Sequence, residues 1–273
     1  KNPVVGYVRS QRDAITTADP AARAGDEEAI HAMRVATRRL RSTLKTFRTL
    51  WQPEQVAPLR SEVKWLGEHL GAVRDAPVQT RRLADLIDPD DTDLTKVSVR
   101  LRAHLGEQLD RGRTALGAAL DDNRYLRLLD DLDRLCDTDP APGGDLRRPA
   151  RKALRKADRL LDSARDDEHL HTARKAYKQA RYAAEVFVPS AGKPAKRLVT
   201  ALTGLQDALG AHQDTVVARA LLRELAGQAH QAGESGFGYG VLHARQQAVG
   251  EQALAGLPAA RRRAGRRKLR NWL

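Results

Sequence analysis

Two stretches of this chain repeat one another at a near-constant distance. Asp26-Glu-Glu-Ala-Ile-His31-Ala-Met-Arg34 is matched by Asp166-Asp-Glu-His-Leu-His171-Thr-Ala-Arg174, 140 positions later. At the same shift, Arg38 and Arg41 are matched by Lys178 and Arg181. Leu70-Gly71-Ala-Val-Arg74-Asp75 is matched by Leu209-Gly210-Ala-His212-Gln-Asp214, shifted by 139. Two blocks in the same order at nearly one shift mark an internal duplication. The expected fold is therefore two related units, here residues 1–139 and 145–273, packed as one compact body about a pseudo-twofold axis. A function built on the duplicated residues should draw on both.

The duplicated segment has a helical pattern. At 100° per residue, His31, Arg34, Arg38, Arg41 and Lys45 fall inside roughly an 80° arc. Met33, Ala36, Leu40, Leu44, Phe47 and Trp51 fall on the opposite side. In the second copy Ala173, Ala176, Ala180, Ala184 and Phe187 take the apolar side. One face is built to bury and the other is a ridge of cations. Like charges one turn apart cost a helix about 0.2–0.5 kcal/mol per pair, so a helix that needed only solubility would mix signs. Pairing with acids on neighbouring helices is the plain alternative. Duplication of the ridge favours a ligand, and two ridges could line one groove. Lys45 is matched by Glu185, so the second ridge is one cation shorter.

Charge says where the cations matter. The chain carries a net charge of +13, and residues 140–273 supply all of it, since Lys and Arg equal Asp and Glu before them. A basic half suits a polyanion: nucleic acid, a phosphate polymer or an acidic membrane surface. In the neutral half the cations have to be segregated in space to act. The preceding helix of the second half, with Arg147, Arg148, Arg151, Lys152, Arg155 and Lys156, and the loop bearing Lys193, Lys196 and Arg197 add to that wall. The Arg-rich tail from Arg261 to Arg270 either supports the groove or binds nucleic acid without sequence preference. Aromatics make up only 4 % of the residues, which argues against a single-strand platform that stacks bases on rings.

Abundant Ala, Leu and Arg with few aromatics favour helices over sheets. The spacing predicts helices over about 4–17, 26–50, 54–70, 75–87, 94–120 and 123–137. Gly71 is expected to end the third, and Asp75 and Asp214 to cap the helices that follow. Asp139-Pro-Ala-Pro-Gly-Gly144 is the expected boundary between halves. Asp88–Asp93 resembles a calcium loop only superficially. Asp93 and Val99 stand where the turn glycine and the bidentate glutamate belong, so a solvated turn is expected. No apolar run approaches the ~20 residues of a membrane span. Cys136 is alone, which fits a reducing cytosol, and the start is not a signal peptide. The sequence starts without an initiator Met, so a fragment or a trimmed chain is expected.

His31-Ala-Met-Arg34-Val-Ala-Thr-Arg38-Arg39-Leu-Arg41, its partner His171-Thr-Ala-Arg174-Lys175-Ala-Tyr-Lys178-Gln-Ala-Arg181-Tyr182, and the Leu-Gly-x-x-Arg/Gln-Asp stretches together resemble the CHAD family, the conserved histidine α-helical domain. The resemblance runs from about residue 4 to 255. It implies an all-α protein of two related helical bundles with a basic groove or channel between them. It also implies a link to inorganic polyphosphate and polyphosphate granules, and in some members fusion to a triphosphate-tunnel (CYTH) catalytic domain. That domain's Glu-x-Glu-x-Lys motif is absent here. Glu185, Gln213 opposite Arg74 and Thr203 opposite Lys64 depart from strict symmetry.

The expected function is therefore noncatalytic polyphosphate binding, with no metal and no cofactor, in the cytoplasm and at polyphosphate granules. The named contacts are Arg34, Arg38, Arg41 and Lys45, then Arg174, Lys178 and Arg181, with Lys64, Arg74, Lys152, Arg155 and Lys196 as further candidates. His31 and His171 either touch phosphate or orient their neighbours. Neither has a His or Cys one turn on, which argues against metal. The rival readings are nonspecific nucleic-acid binding and a polyphosphate-processing phosphohydrolase.

Overall fold

The computed structural model describes residues 2–87, 92–141 and 144–273, the side chains of 92 and 93 excepted. Helices form nearly all of it, and no strand occurs among the described residues. In the first half these are α1 (Pro3–Arg23), α2 (Glu27–Thr46), α3 (Pro53–Ala84), α4 (Thr92–Asp121) and α5 (Asn123–Asp137). The second half holds α6 (Arg147–Asp162), α7 (Asp167–Glu185), the single turn α8 (Val188–Ala191), α9 (Lys193–Gln231), α10 (Phe237–Ala255), α11 (Leu257–Gly265) and α12 (Arg267–Arg270).

The duplicated helices start in the same way. Asp26 accepts a hydrogen bond from the Ala29 amide at 2.7 Å, and Asp166 accepts one from His169 at 2.9 Å. Each satisfies an amide that the first turn leaves without a partner. Glu27 and Glu28, then Asp167 and Glu168, add negative charge at the positive end of the helix dipole. The acids open each helix and the cations follow, so the ridges begin one turn in.

Neighbouring helices pack in the same order in both halves. α1 lies on α2, α2 on α3 and α3 on α4, while α6 lies on α7, α7 on α9 and α9 on α10. The halves meet where α2 crosses α7 and where α4 meets α10. Met33, Leu40 and Leu44 of α2 are fully buried, with Ala36, Phe47 and Trp51 beside them, as the wheel requires. Ala173, Ala180, Ala183 and Ala184 bury the matching side of α7. These small side chains let helices approach closely. The main core runs from α2 and α3 through α6 and α7 into α9. A second core joins Leu83, Leu94 and Leu101 to Leu222, Leu225 and Leu242 at the far end. Both cores take side chains from both halves.

Three boundaries differ from the sequence pattern. Gly71 does not end a helix: α3 runs on to Ala84, and α9 likewise runs unbroken past Gly210. A helical glycine costs about 1 kcal/mol against alanine, little beside the packing along a helix of 32 residues. Asp75 and Asp214 are therefore mid-helix residues rather than caps, and both form ion pairs instead. Pro20 sits inside α1, and the chain reverses at Gly25, whose φ of +86° a side chain would resist. The boundary stretch is tied down at Ala141, whose amide donates to the Leu50 carbonyl at 2.8 Å. Pro142 and Gly143, and residues 88–91 of the acidic turn, lie outside the described residues.

Candidate anion-binding cleft

α2 and α7 turn their apolar sides into the core and their cationic sides toward one another. Between them, floored by α3 and α9, is a cleft of about 610 Å³. Arg34, Arg38, Arg41 and Lys45 line one wall. His171, Arg174, Lys175 and Lys178 line the other, and Arg82 reaches in from α3. Thr37, Ser42, Gln79, Gln179 and Gln213 supply neutral hydrogen-bonding groups between the charges.

Burial, and then crowding by like charges, lowers the basicity of the central cations. Burial pushes Arg38 down, and Arg34, Arg174 and Arg181 add to it, while Tyr182 opposes them. Lys178 falls to about 7, first by burial and then by Arg38, Arg174, Arg34 and Arg181. Lys45 is lowered by burial and by Lys156, Arg60, Arg41 and Arg48. Burial and Lys175 also lower His171 below its ordinary value, while a hydrogen bond with Gln213 opposes them. Positive charge is thus held together at an energetic cost that a bound anion would relieve.

The acids of the cleft are already engaged. Arg34 pairs with Asp75 at 2.9 Å, and Arg82 reaches across the halves to Asp214 at 2.8 Å and the Ala211 carbonyl at 3.3 Å. Among the described residues Arg174, the counterpart of Arg34, makes no ion pair, because the acid that matches Asp75 is held by Arg82. The duplicated Leu-Gly pairs find their purpose here. A Cβ on Gly71 would stand 3.0 Å from Arg34 Nη1, and one on Gly210 3.5 Å from Arg174 Nε. Both arginines lie flat against a helix backbone that glycine leaves open. Arg34 Nη1 and His171 Nδ1 are buried without a partner.

Seven of the residues named from sequence line the cleft: Arg34, Arg38, Arg41, Lys45, His171, Arg174 and Lys178. The others stand elsewhere. Arg181 turns back onto Glu185 at 2.5 Å and onto Gln206, with its guanidinium 4.6 Å from the centre of the Tyr182 ring. Glu185 is buried, and it also accepts from Arg39 at 2.9 Å and from the Tyr7 hydroxyl at 2.8 Å. It joins α1, α2 and α7, so the gap in the second ridge is a structural anchor. His31 stays at the start of α2, where its Nδ1 is 3.5 Å from Arg74 Nε, and neither residue lines the cleft. Lys64 pairs with Glu68 at 3.3 Å. Lys152 and Arg155 are exposed on α6 and Lys196 on α9, outside the lining. Sequence reasoning missed Arg82 and Lys175. Arg82 has Leu221 as its repeat partner and so gave no signal. Lys175 falls one step outside the ridge on the wheel.

The profile of the CHAD domain matches residues 6–223. The chain belongs to the CHAD domain family. Two curated proteins of Mycobacterium tuberculosis, Rv2226 from strain H37Rv and MT2285 from strain CDC 1551, are each 34 % identical to it over 278 aligned positions. These alignments take in 96 % of this chain and 53 % of each relative, so the chain spans about half their length. Among solved structures, the CHAD domain from the plant Ricinus communis superposes with a TM-score of 0.73 at 29 % identity, covering 95 % of this chain and 90 % of that one. PptA from Streptomyces chartreusis shares the fold, with a TM-score of 0.83 at 22 % identity over 94 % of this chain and 97 % of that one. Among the described residues no helix of this CHAD chain is long and apolar enough to cross a membrane, and no three His, Cys, Asp or Glu side chains come together as a metal site.

Proposed function

We propose that the cleft between α2 and α7 binds inorganic polyphosphate and does not turn it over. The observation that carries this reading is that cations from both duplicated helices face one another while the neighbouring acids are bound to other partners. Arginine suits the task, since its planar fork gives two bonds to phosphate oxygens and stays charged. Forks and ammonium groups one turn apart track a linear polyanion without reading any sequence. The CHAD family's link to polyphosphate supports the same ligand. Glu68, Asp75 and Asp214 are the carboxylates in the cleft lining and all three are in ion pairs, so none is free to act as a base. Residence at polyphosphate granules, and work beside a triphosphate-tunnel domain in a longer protein, extend this reading.

The test is competition at fixed salt. Long-chain polyphosphate should displace labelled duplex and single-stranded DNA, and DNA should not displace polyphosphate. The reverse order contradicts the proposal and favours nucleic-acid binding through the exposed tail cations Arg262, Arg263, Arg266, Arg267 and Lys268. Incubation with Mg²⁺ or Mn²⁺ should leave polyphosphate length unchanged. Time-dependent shortening that His171→Ala abolishes would show a processing enzyme instead.

A further inference from the structure

One cation in the middle of the cleft is a lysine set among arginines. Lys178 projects from the middle of α7 and takes the place that Arg38 holds on α2. Arg34 and Arg38 of α2 face it, with Arg174 and Arg181 of its own helix. Further along the same walls stand Arg41 and Lys45 of α2 and His171, Lys175 and Tyr182 of α7. The acids that line the cleft are taken, and so are Glu185 and Asp158 behind them. On α3, Asp75 is held by Arg34 and Glu68 by Lys64; on α9, Asp214 is held by Arg82. On α7, Glu185 is held by Arg181 and Arg39. On α6, which covers the opposite face of α7, Asp158 accepts from Tyr177 and pairs with Arg261 and Arg270. Among the described residues Lys178 therefore has no carboxylate partner.

We infer that the cleft takes up its polyanion together with one proton, which the Lys178 amine accepts from solvent. The inference rests on the polyphosphate reading above and adds a regulation to that site. In the free protein burial and the four arginines hold Lys178 at about 7, so the amine is charged in acid and neutral in mild alkali. A phosphate chain between the walls brings the negative charge that the amine lacks, and this favours the ammonium form. Only an N–H bond forms, and its proton comes from water or buffer. The partner position cannot do the same, because the Arg38 guanidinium keeps its charge. Below pH 7 affinity is then insensitive to pH through this group. Above it, affinity falls by about tenfold per pH unit as the protonated fraction shrinks.

Calorimetry of wild-type protein with long-chain polyphosphate tests this, since the internal phosphates of that probe stay ionised throughout. Titrations near pH 8 in two buffers of different ionisation enthalpy should reveal uptake of about one proton per occupied cleft. The same pair of titrations near pH 5.5 should give equal uptake in wild type and Lys178→Arg, since the Lys178 amine is already charged there and His171 is common to both. Lys178→Arg should bind at both pH values and take up about one proton less than wild type near pH 8. Wild-type binding without proton uptake near pH 8 overturns the inference and leaves polyphosphate binding standing, and it does so whatever Lys178→Arg does. No binding by the wild type at either pH overturns the polyphosphate reading, and this inference with it.

Discussion

The two walls of the cleft carry matching sequence motifs and differ in how they hold their charge. The α2 wall carries four cations in line, and among the described residues only Arg34 is tied to an acid. The α7 wall keeps Arg174 and Lys178 in the cleft but turns Arg181 away to Glu185. Its matching acid, Asp214, serves Arg82 from the other half. His212 stands where the first copy has Val73, and it bonds Asp167 at 2.8 Å to pin the start of α7 onto α9. One copy has kept the ridge for the cleft. The other has given part of it to holding the halves together. The matching motifs give two walls, and the packing between them asks different things of each.

The largest expected effect lies on the α2 wall. Reversing Arg34, Arg38 and Arg41 together to Glu should abolish polyphosphate binding while circular dichroism retains the helix content. Unchanged affinity would mean that the ligand uses another surface. Reversing Arg174 alone should weaken binding by about tenfold, or ~1.4 kcal/mol. An equal loss from that single change would erase the distinction between the walls.

The anchor on the α7 wall should show in stability. Glu185→Gln leaves Arg181 and Arg39 without their buried carboxylate and should cost about 3 kcal/mol in urea unfolding. Lys45→Gln, at the matching position, should cost close to nothing, since Lys45 has no ion pair among the described residues to lose. Similar losses at both positions would contradict the division of labour.

Lys178 adds a pH dependence to the free protein. Its basicity is lowered in the fold from an ordinary value near 10.5 to about 7, so between those limits the unfolded chain binds more protons. Stability therefore rises with pH across that window, and the penalty of the buried charge is fully present below it. Lys178→Met should raise the Tm at pH 6 and lose that advantage by about pH 10. An equal shift at both pH values would place the effect in packing rather than in charge.

A smaller effect separates the two glycine seats. Gly71→Ala sets a Cβ tight against Arg34 and should weaken binding a few-fold, whereas Gly210→Ala, with ordinary contact to Arg174, should do less. Reversing the exposed tail cations should weaken binding least of all. A larger loss at Gly210 or at the tail would move the binding surface away from the α2 wall.

Much of this was legible in the sequence. The repeat and the two ridges located both walls, and the wheel separated Met33, Leu40 and Leu44 from Arg34, Arg38 and Arg41 without error. What escaped depends on packing. Gly71 looks like a helix end because local preference cannot register a side chain from another helix that needs the space. Arg181 has the spacing of a wall residue, but whether it faces the cleft depends on Glu185 and Gln206 being near enough to draw it back. Arg82 has no basic repeat partner and enters the cleft only because α3 runs on as one continuous helix. Lys152, Arg155 and Lys196 looked like support for the groove from charge alone, and the packing of α6 and α9 leaves them exposed outside it.

The central claim is that a phosphate chain lies between α2 and α7, and a crystal structure of the protein with bound polyphosphate tests it most directly. Phosphorus density running along the cleft, with oxygens about 3 Å from the Arg38 guanidinium and the Lys178 amine, is the expected result. Density confined to α6 and the C-terminal tail, with the cleft empty, would contradict it.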